Sequence, residues 1–416
     1  MQIYEGSINP CKLYSIQKKI GEGAYSIVYS VKHVITGKNY AMKKYKKIFT
    51  NNIDTKNIIK ELMILRQLES DCFPKIKEII VNSEEISSCF PFIKTVYLIF
   101  EQCEMDFRYF ITISSFQKNE LKLLMFKLVK AIRNLHNQGV YHRDLKPENI
   151  IVNTKNIEIK ITDFNHAKLI THENEKHIYN IVPFKIHEQN QETHILGTRY
   201  YRAPELLLLQ KYDQKIDVWA LGCIFLELLS HYFKLEKGPF FDGKYCEVFS
   251  PTNKENINSK NVGKRIINKE DQILVILKHI GQLNNSAFDF IKNGQIKSLL
   301  KAFNKKNKEE PKINKLFNKV GSDSSLKNLI HKMLVFNPLF RFNVEDCYNH
   351  KYFDDVRWSD SESYTLSKVK FNIDIDDPKI FFSTEKLVFA LFKELNYYNK
   401  LLLFDEIEKY KMNQTF

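Results

Sequence analysis

The sequence predicts an α+β fold in two lobes, a small mainly β N-lobe followed by a larger mainly α C-lobe. Three observations carry that expectation. The chain has 416 residues, too many for one small core and suited to two lobes plus extensions. Strand-like runs crowd into the first hundred residues, at 13–43 and 95–100. Beyond them, long apolar-periodic segments such as 121–135 have the spacing of helices that bury one face.

Composition narrows the class. The first ten residues have no apolar core of a signal peptide, and the longest apolar stretch, about 218–229, is too short to cross a bilayer. The chain is therefore expected to be intracellular, in the cytoplasm and with the nucleus open to it, and to have no membrane partner. Seven cysteines (Cys11, Cys72, Cys89, Cys103, Cys223, Cys246, Cys347) are scattered, odd in number and without a C-x-x-C pair, which favours reduced thiols over disulfides or zinc. A net charge of +14 could draw a polyanion, but the lysine surplus sits in Lys/Asn-rich stretches such as 301–319 without interleaved aromatic residues. Solvated faces explain it better, and no nucleic acid is expected.

The chemistry concentrates in His142-Arg143-Asp144-Leu145-Lys146-Pro147-Glu148-Asn149 and, after a short hairpin, Asp163-Phe164-Asn165. Asp144 can accept a hydrogen bond from an attacking hydroxyl, and Lys146 can neutralise a transferring phosphoryl group. Asn149 and Asp163 can hold Mg²⁺. Between them, Ile150-Ile151-Val152, a turn at 153–156, and the alternating Ile157-Glu158-Ile159-Lys160-Ile161 have the pattern of two strands. An ordinary charged loop would not match at seven fixed positions with the partner aspartate at the right distance. The stretch resembles the catalytic loop of eukaryotic protein kinases, with Asp163-Phe164-Asn165 where that family has Asp-Phe-Gly. The resemblance runs from about residue 13 to 395. It implies the bilobal kinase fold, with an N-lobe at 13–102, a C-lobe at 103–354 and an extension at 355–416 that packs back on the N-lobe.

Taken in order, 13–43 reads as three strands, the first two joined by Gly21-Glu22-Gly23-Ala24-Tyr25-Ser26. Such a glycine-rich turn lets backbone N–H groups approach phosphates. A dinucleotide-binding turn would lead into a helix, whereas 27–32 looks like a strand, so the turn should cover a nucleotide from above. Ser26 at the third glycine position is expected to tune exchange. Lys43, in Tyr40-Ala41-Met42-Lys43, is the candidate to pair with the α- and β-phosphates. The helix at 54–68 carries Ile58, Leu62, Leu65 and Leu68 on one face, with Glu61 beside them and able to reach Lys43. By resemblance Phe100 is the gatekeeper, the backbone from Glu101 to Cys103 bonds the adenine edge, and Val28, Ala41 and Ile151 complete the ATP site. ATP and Mg²⁺ are the implied cofactors.

The activation segment, 163–205, is long, with a polar insert at about 171–191, and its end, Thr198-Arg199-Tyr200-Tyr201-Arg202-Ala203-Pro204-Glu205, resembles the cyclin-dependent and mitogen-activated branch. Thr193 falls where those groups carry an activating phosphate, which Arg143 would bind. Ile195 replaces the tyrosine of Thr-x-Tyr, so one phosphate is expected to suffice. Gly197, Thr198 and Arg202 form the expected substrate pocket. In the family the carbonyl at 197 turns away from substrate, leaving a following N–H unsatisfied, and proline has none. Protein substrates with Ser/Thr-Pro sites and an upstream activating kinase are the implied partners. Five histidines in the segment (His166, His172, His177, His187, His194) are irregularly spaced and give no metal site.

Farther on, Asp217 matches the residue that ties the catalytic-loop backbone, and Glu205 with Arg341 matches a buried ion pair. A helical insert spans about 236–300, interrupted by a low-complexity loop at 245–269. Asp360, Glu362, Asp376 and Asp377 offer an acidic patch for docking proteins with basic motifs, or a merely solvated tail; a monomer is expected. Asn165 is the departure with most at stake. Asparagine is the side chain best able to adopt left-handed backbone angles in glycine's place, which favours an active enzyme. The alternative is a pseudokinase scaffold that binds partners through the acidic tail.

Overall fold

In the computed structural model the described residues are 13–23, 26–46, 52–84, 92–169, 198–246, 269–357, 367–370 and 384–399. The chain runs β1 (Tyr14–Glu22), β2 (Ser26–His33), β3 (Asn39–Lys46), α1 (Asn52–Gln67), β4 (Ile76–Glu84), β5 (Phe92–Glu101) and β6 (Met105–Asp106). Helices α2 (Phe107–Ile113) and α3 (Lys118–Asn137) precede the short β7 (Val140–Tyr141), β8 (Ile150–Asn153), β9 (Glu158–Ile161) and β10 (Lys168–Leu169). Then come α4 (Pro204–Leu207), α5 (Lys215–Tyr232), α6 (Gln272–Ile280), α7 (Gly294–Lys306), α8 (Lys312–Val320) and α9 (Ser324–Met333). The last helices are α10 (Val344–Tyr348), α11 (Asp354–Arg357) and α12 (Thr384–Asn399). Among the described residues no helix is long and apolar enough to cross a membrane.

Compactness groups the chain into two units. The first comprises the described residues within 1–105, 151–168 and 367–416, and the second those within 106–150 and 169–366. A β-rich first part and a helical second part make this an α+β fold.

In the first unit an antiparallel sheet has the order β1-β2-β3-β5-β4. One cluster of its core is Tyr14, Val31, Met42, Ile80, Tyr97 and Ile99. Side chains alternate along a strand, so Lys43 and Tyr45 lie on the face of β3 opposite Met42. The apolar spacing of α1 predicts one buried stripe, yet Ile59, Met63 and Ile64 are buried along with Ile58, Leu62 and Leu65. The second covering is α12, which packs along α1 and buries Leu387, Leu391 and Leu395. Arg66 of α1 pairs with Glu394 at 3.2 Å and lies 4.0 Å from the Tyr397 ring centre.

The β8–β9 hairpin alternates as its sequence does, with Ile159 and Ile161 buried and Glu158 and Lys160 half-buried. Its end is tied into the first unit, since Ile161 N–H donates to the Cys72 carbonyl at 2.8 Å and Phe164 meets Phe73 edge-on at 6.0 Å. Those contacts explain why 151–168 groups with the sheet, where a linear division at residue 103 assigns it to the following lobe.

In the second unit α5 is buried on every side from Ile216 to Ser230, as a helix apolar all round must be. Against this centre lies α3, with Leu121, Leu124, Met125, Leu128, Ile132 and Leu135 buried at helical spacing. Arg341 and Glu205 form a two-pronged ion pair at 2.5 and 2.8 Å with both side chains 0% exposed. The five described cysteines are free thiols. His279 stacks on Phe241 at 6.0 Å, and its Nδ1 is buried without a hydrogen-bond partner. Burial first, then Lys312, lowers its pKa from 6.5 to about 4. A lowered pKa gives stability that is present above the unfolded value and is lost as pH falls through the folded one. Replacing His279 by Phe is expected to flatten the decline of thermal stability between pH 6.5 and about 4, measured by melting curves across that range.

Candidate active site

The first unit assembles one cluster from β3, α1 and the segment after β9. Lys43 Nζ donates to Glu61 Oε1 at 2.7 Å and Oε2 at 2.9 Å, and reaches Asp163 Oδ1 at 3.3 Å. The Tyr45 hydroxyl also donates to Glu61 Oε2. Burial opposes the charge on Lys43, but Glu61, Tyr45 and Asp163 outweigh it, and the ammonium pKa is raised. Lys43 therefore stays cationic while buried, as a phosphate partner must.

Asp163 itself, at φ 65° and ψ 71°, takes the left-handed conformation. The aptitude of asparagine for such angles is not used at Asn165. Asn165 lies inside the 3₁₀ turn Phe164–His166, and the residue with positive φ is the aspartate, another short polar side chain that tolerates it. Asn165 is buried and donates from Nδ2 to Asp163 Oδ1 at 2.5 Å. A glycine there could not make that contact.

The residues expected around a nucleotide lie on the same unit. Gly21 pairs with Val28 and Glu22 with Ile27 across β1 and β2, and Gly23 N–H donates to the Ser26 carbonyl at 2.9 Å. The Glu22 side chain pairs with Lys19 in solvent, so its backbone is what it can offer a ligand. Val28 is opposite Lys43, and Ala41 is opposite Phe100. Val28, Ala41 and Ile151 are half-buried, and Phe100 is buried. Glu101 pairs with Lys77 at 2.6 Å, and burial pushes the Cys103 thiol up to about 11.

The second unit assembles another cluster. Lys146 Nζ donates to Asp144 Oδ2 at 2.8 Å, and Asn149 Nδ2 donates to the Asp144 carbonyl at 2.8 Å and to Oδ2 at 3.2 Å. Asp144 Oδ1 is buried with no hydrogen-bond partner. A buried carboxylate oxygen left unmatched is unfavourable, and such atoms mark sites that await a donor. Underneath, Asp217 accepts from the backbone N–H of His142 at 2.8 Å and of Arg143 at 2.9 Å, and pairs with His136 at 2.9 Å. Burial would raise the Asp217 pKa, but the His136 hydrogen bond and its neighbours lower it. Arg143, at φ 69°, is held in the left-handed region by this anchorage.

Arg143, Asp144, Tyr201 and Arg202 line one cavity of the second unit, with Arg202 exposed. Thr198 opens the 3₁₀ turn Thr198–Tyr201. Thr193 and Gly197, the acidic residues Asp360, Glu362, Asp376 and Asp377, and the two inserts' central stretches lie outside the described residues. The family model described as protein kinase domain matches residues 14–353.

The chain belongs to the protein kinase family.

Its relatives point to one branch. This kinase is 27% identical over 400 residues to mitogen-activated protein kinase hog-1 of Neurospora crassa, covering 96% of this chain and 94% of that one. It is 30% identical over 379 residues to extracellular signal-regulated kinase 1 of Dictyostelium discoideum, covering 90% of this chain and 61% of the relative. Mitogen-activated protein kinase HOG1 of Cryphonectria parasitica is 26% identical over 400 residues, with 96% and 94% covered. The kinase is thus mitogen-activated-kinase-like over most of its length.

A protein kinase domain implies ATP and a divalent metal, generally Mg²⁺. Among the described residues no three His, Cys, Asp or Glu side chains converge into a metal cage. Mg²⁺ takes one or two protein ligands together with phosphate oxygens and water. Asn149 has its amide nitrogen engaged with Asp144, which fixes the orientation of the amide and makes oxygen the end a cation would take. Asp163 offers a carboxylate 34% exposed.

Sequence reasoning overlooked two residues of this kinase. The period of two along β3 puts Tyr45 on the face of Lys43, a readable signal, but not the hydroxyl's partner on another element. Arg108 of α2 was also passed over. It donates to Glu148 at 3.0 Å, to Tyr201 at 2.5 Å and to the buried Glu227, joining the 3₁₀ turns Pro147–Asn149 and Thr198–Tyr201 to α5.

Proposed function

We propose that the chain transfers the γ-phosphate of Mg-ATP to serine or threonine followed by proline in protein substrates. The observation that carries this reading is the asymmetry of Asp144: Oδ2 is held by Lys146 and Asn149, while Oδ1 is buried without a partner. A hydroxyl donating to Oδ1 would be oriented for attack, and its proton would pass to that oxygen as the new bond forms. Lys146, already at the carboxylate, would offset charge on the transferring group. Lys43, held by Glu61, would align the α- and β-phosphates. Asn149 and Asp163 would hold the metal, which when bound neutralises charge on the phosphate oxygens. Assembly of Lys43 with Glu61 and Asp163 supports this reading over a pseudokinase scaffold.

Arg143 and Arg202 in the cavity beside Asp144 support the rest. Phosphate on Thr193 would bring about two negative charges to Arg143 and order the segment. An upstream activating kinase and docking proteins with basic motifs follow as partners, in the cytoplasm and nucleus. With radiolabelled ATP, the phosphorylated chain is expected to label a Ser-Pro peptide at least about tenfold faster than its Ser-Ala counterpart, since the substrate pocket that the resemblance implies would leave a following N–H unsatisfied. Thr193→Ala is expected to lower that rate by a similar factor, about tenfold or more. Equal labelling of the two peptides would reject the proline preference, and an undiminished Thr193→Ala enzyme would reject the phosphosite.

A further inference from the structure

We propose that Tyr45 is a positioning residue that holds the Lys43–Glu61 pair in register for nucleotide phosphates, through its hydroxyl on Glu61 and its ring beneath the Lys43 ammonium. The inference rests on the reading of Lys43 as the phosphate partner.

Three observations combine. Lys43 and Tyr45 are two residues apart on β3, the centre strand of the sheet, paired on one side to β2 (Val28 and Ser26) and on the other to β5 (Leu98 and Val96). Their side chains therefore leave the same face at fixed spacing. Tyr45 is 0% exposed, and its hydroxyl donates to Glu61 Oε2. The Lys43 ammonium lies 5.1 Å from the centre of the Tyr45 ring, within range of a cation–π contact.

The electrostatics give the hydroxyl a role that volume alone does not. Glu61 is 2% exposed, and a buried carboxylate is tolerated where donors satisfy its lone pairs. Lys43 supplies two hydrogen bonds and Tyr45 the third. Burial first, then the Glu61 carboxylate, raises the phenol pKa, so the hydroxyl remains a donor through the pH range of the folded protein. Phenylalanine would fill the same space and stack on the same ammonium, but would leave Oε2 to Lys43 alone. Glu61 would then hold the ammonium closer to itself or turn from it, and either change moves Nζ from the place where phosphates are met.

The test uses the full-length chain with Tyr45→Phe, Glu61→Gln and both together. KM for Mg-ATP is measured at saturating Ser-Pro peptide, and the melting-temperature rise produced by Mg-ATP is measured in parallel. Tyr45→Phe is expected to raise KM for ATP about three- to tenfold, with KM for peptide unchanged, and to add less than about 1.5-fold once Glu61 is Gln, because contacting residues are non-additive. An equal effect in both backgrounds, or a lower melting temperature with KM for ATP unchanged, would overturn the proposal and leave Tyr45 a packing residue. Lys43→Met separates the two layers. If it abolishes the Mg-ATP shift while Tyr45→Phe changes nothing, only the role of Tyr45 fails; if it keeps the full shift, the phosphate-binding assignment of Lys43 fails and the proposal with it.

Discussion

Asp144→Asn is expected to reduce kcat by about 10³-fold or more while leaving KM for ATP within about twofold, as removal of a general base with intact nucleotide binding does. The substitution keeps shape and removes charge. It also changes what Oδ1 can do: if the amide nitrogen occupies that position, a donor faces the incoming hydroxyl, and if it occupies the other, it opposes the Lys146 ammonium now 2.8 Å from Oδ2. Neither rotamer restores an anionic acceptor at the buried, unpartnered position. The nucleotide contacts proposed for Lys43 lie on the other unit, so the loss should fall on turnover. Stopped-assay kinetics with radiolabelled ATP on a Ser-Pro peptide measures both constants. Turnover within tenfold of the unaltered enzyme would remove Asp144 from the mechanism.

Glu205→Ala is expected to destabilise the fold by about 3–5 kcal/mol, because it strands a buried guanidinium. Arg341 is anchored on all sides: Nη1 and Nη2 to Glu205, Nε to the Val335 carbonyl at 2.9 Å, and its plane 5.0 Å from the Trp219 ring centre. With both side chains 0% exposed, water cannot replace the lost carboxylate without opening the core. A loss of that size corresponds to a fall of about 10 °C in Tm for a unit of roughly this length. Glu205→Leu combined with Arg341→Met should recover much of it, since replacing both members of a buried pair by apolar residues is often neutral. Calorimetric or fluorescence melting separates the cases. A Glu205→Ala protein that melts within 2 or so degrees of the parent, about 1 kcal/mol, would show the pair contributes little.

Much of this was written in the chain because phosphoryl transfer restricts both identity and spacing. Asp144, Lys146 and Asn149 fall within six positions, so their mutual contacts follow from a local turn, Pro147–Asn149. Lys43 and Glu61 were legible as a pair from a strand followed by a helix of the right face, and they meet at 2.7 Å. Asp217 and Glu205 with Arg341 came through resemblance, and each makes the contact the family pattern implies. What stayed hidden is tertiary. Which of Asn165 and Asp163 takes the positive φ depends on the 3₁₀ turn that follows Asp163, and propensity alone does not say. The burial of α1 on a second side depends on α12, far along the chain, and no periodicity within α1 encodes it. What Tyr45 and Arg108 do shows only in the partners of their polar ends, which lie on other elements.

The seam between α1 and α12 makes the C-terminal helix a brace for the helix that carries Glu61. Glu61 sits five residues before Arg66, the side chain that clasps Glu394 and Tyr397. Shortening the protein to a tidy domain ending near residue 357 would strip Leu387, Leu391 and Leu395 from that helix and leave a greasy flank and an orphaned arginine in water. Anyone producing this kinase for inhibitor screening should therefore keep the tail, because the helix that steadies the lysine's counter-ion leans on it.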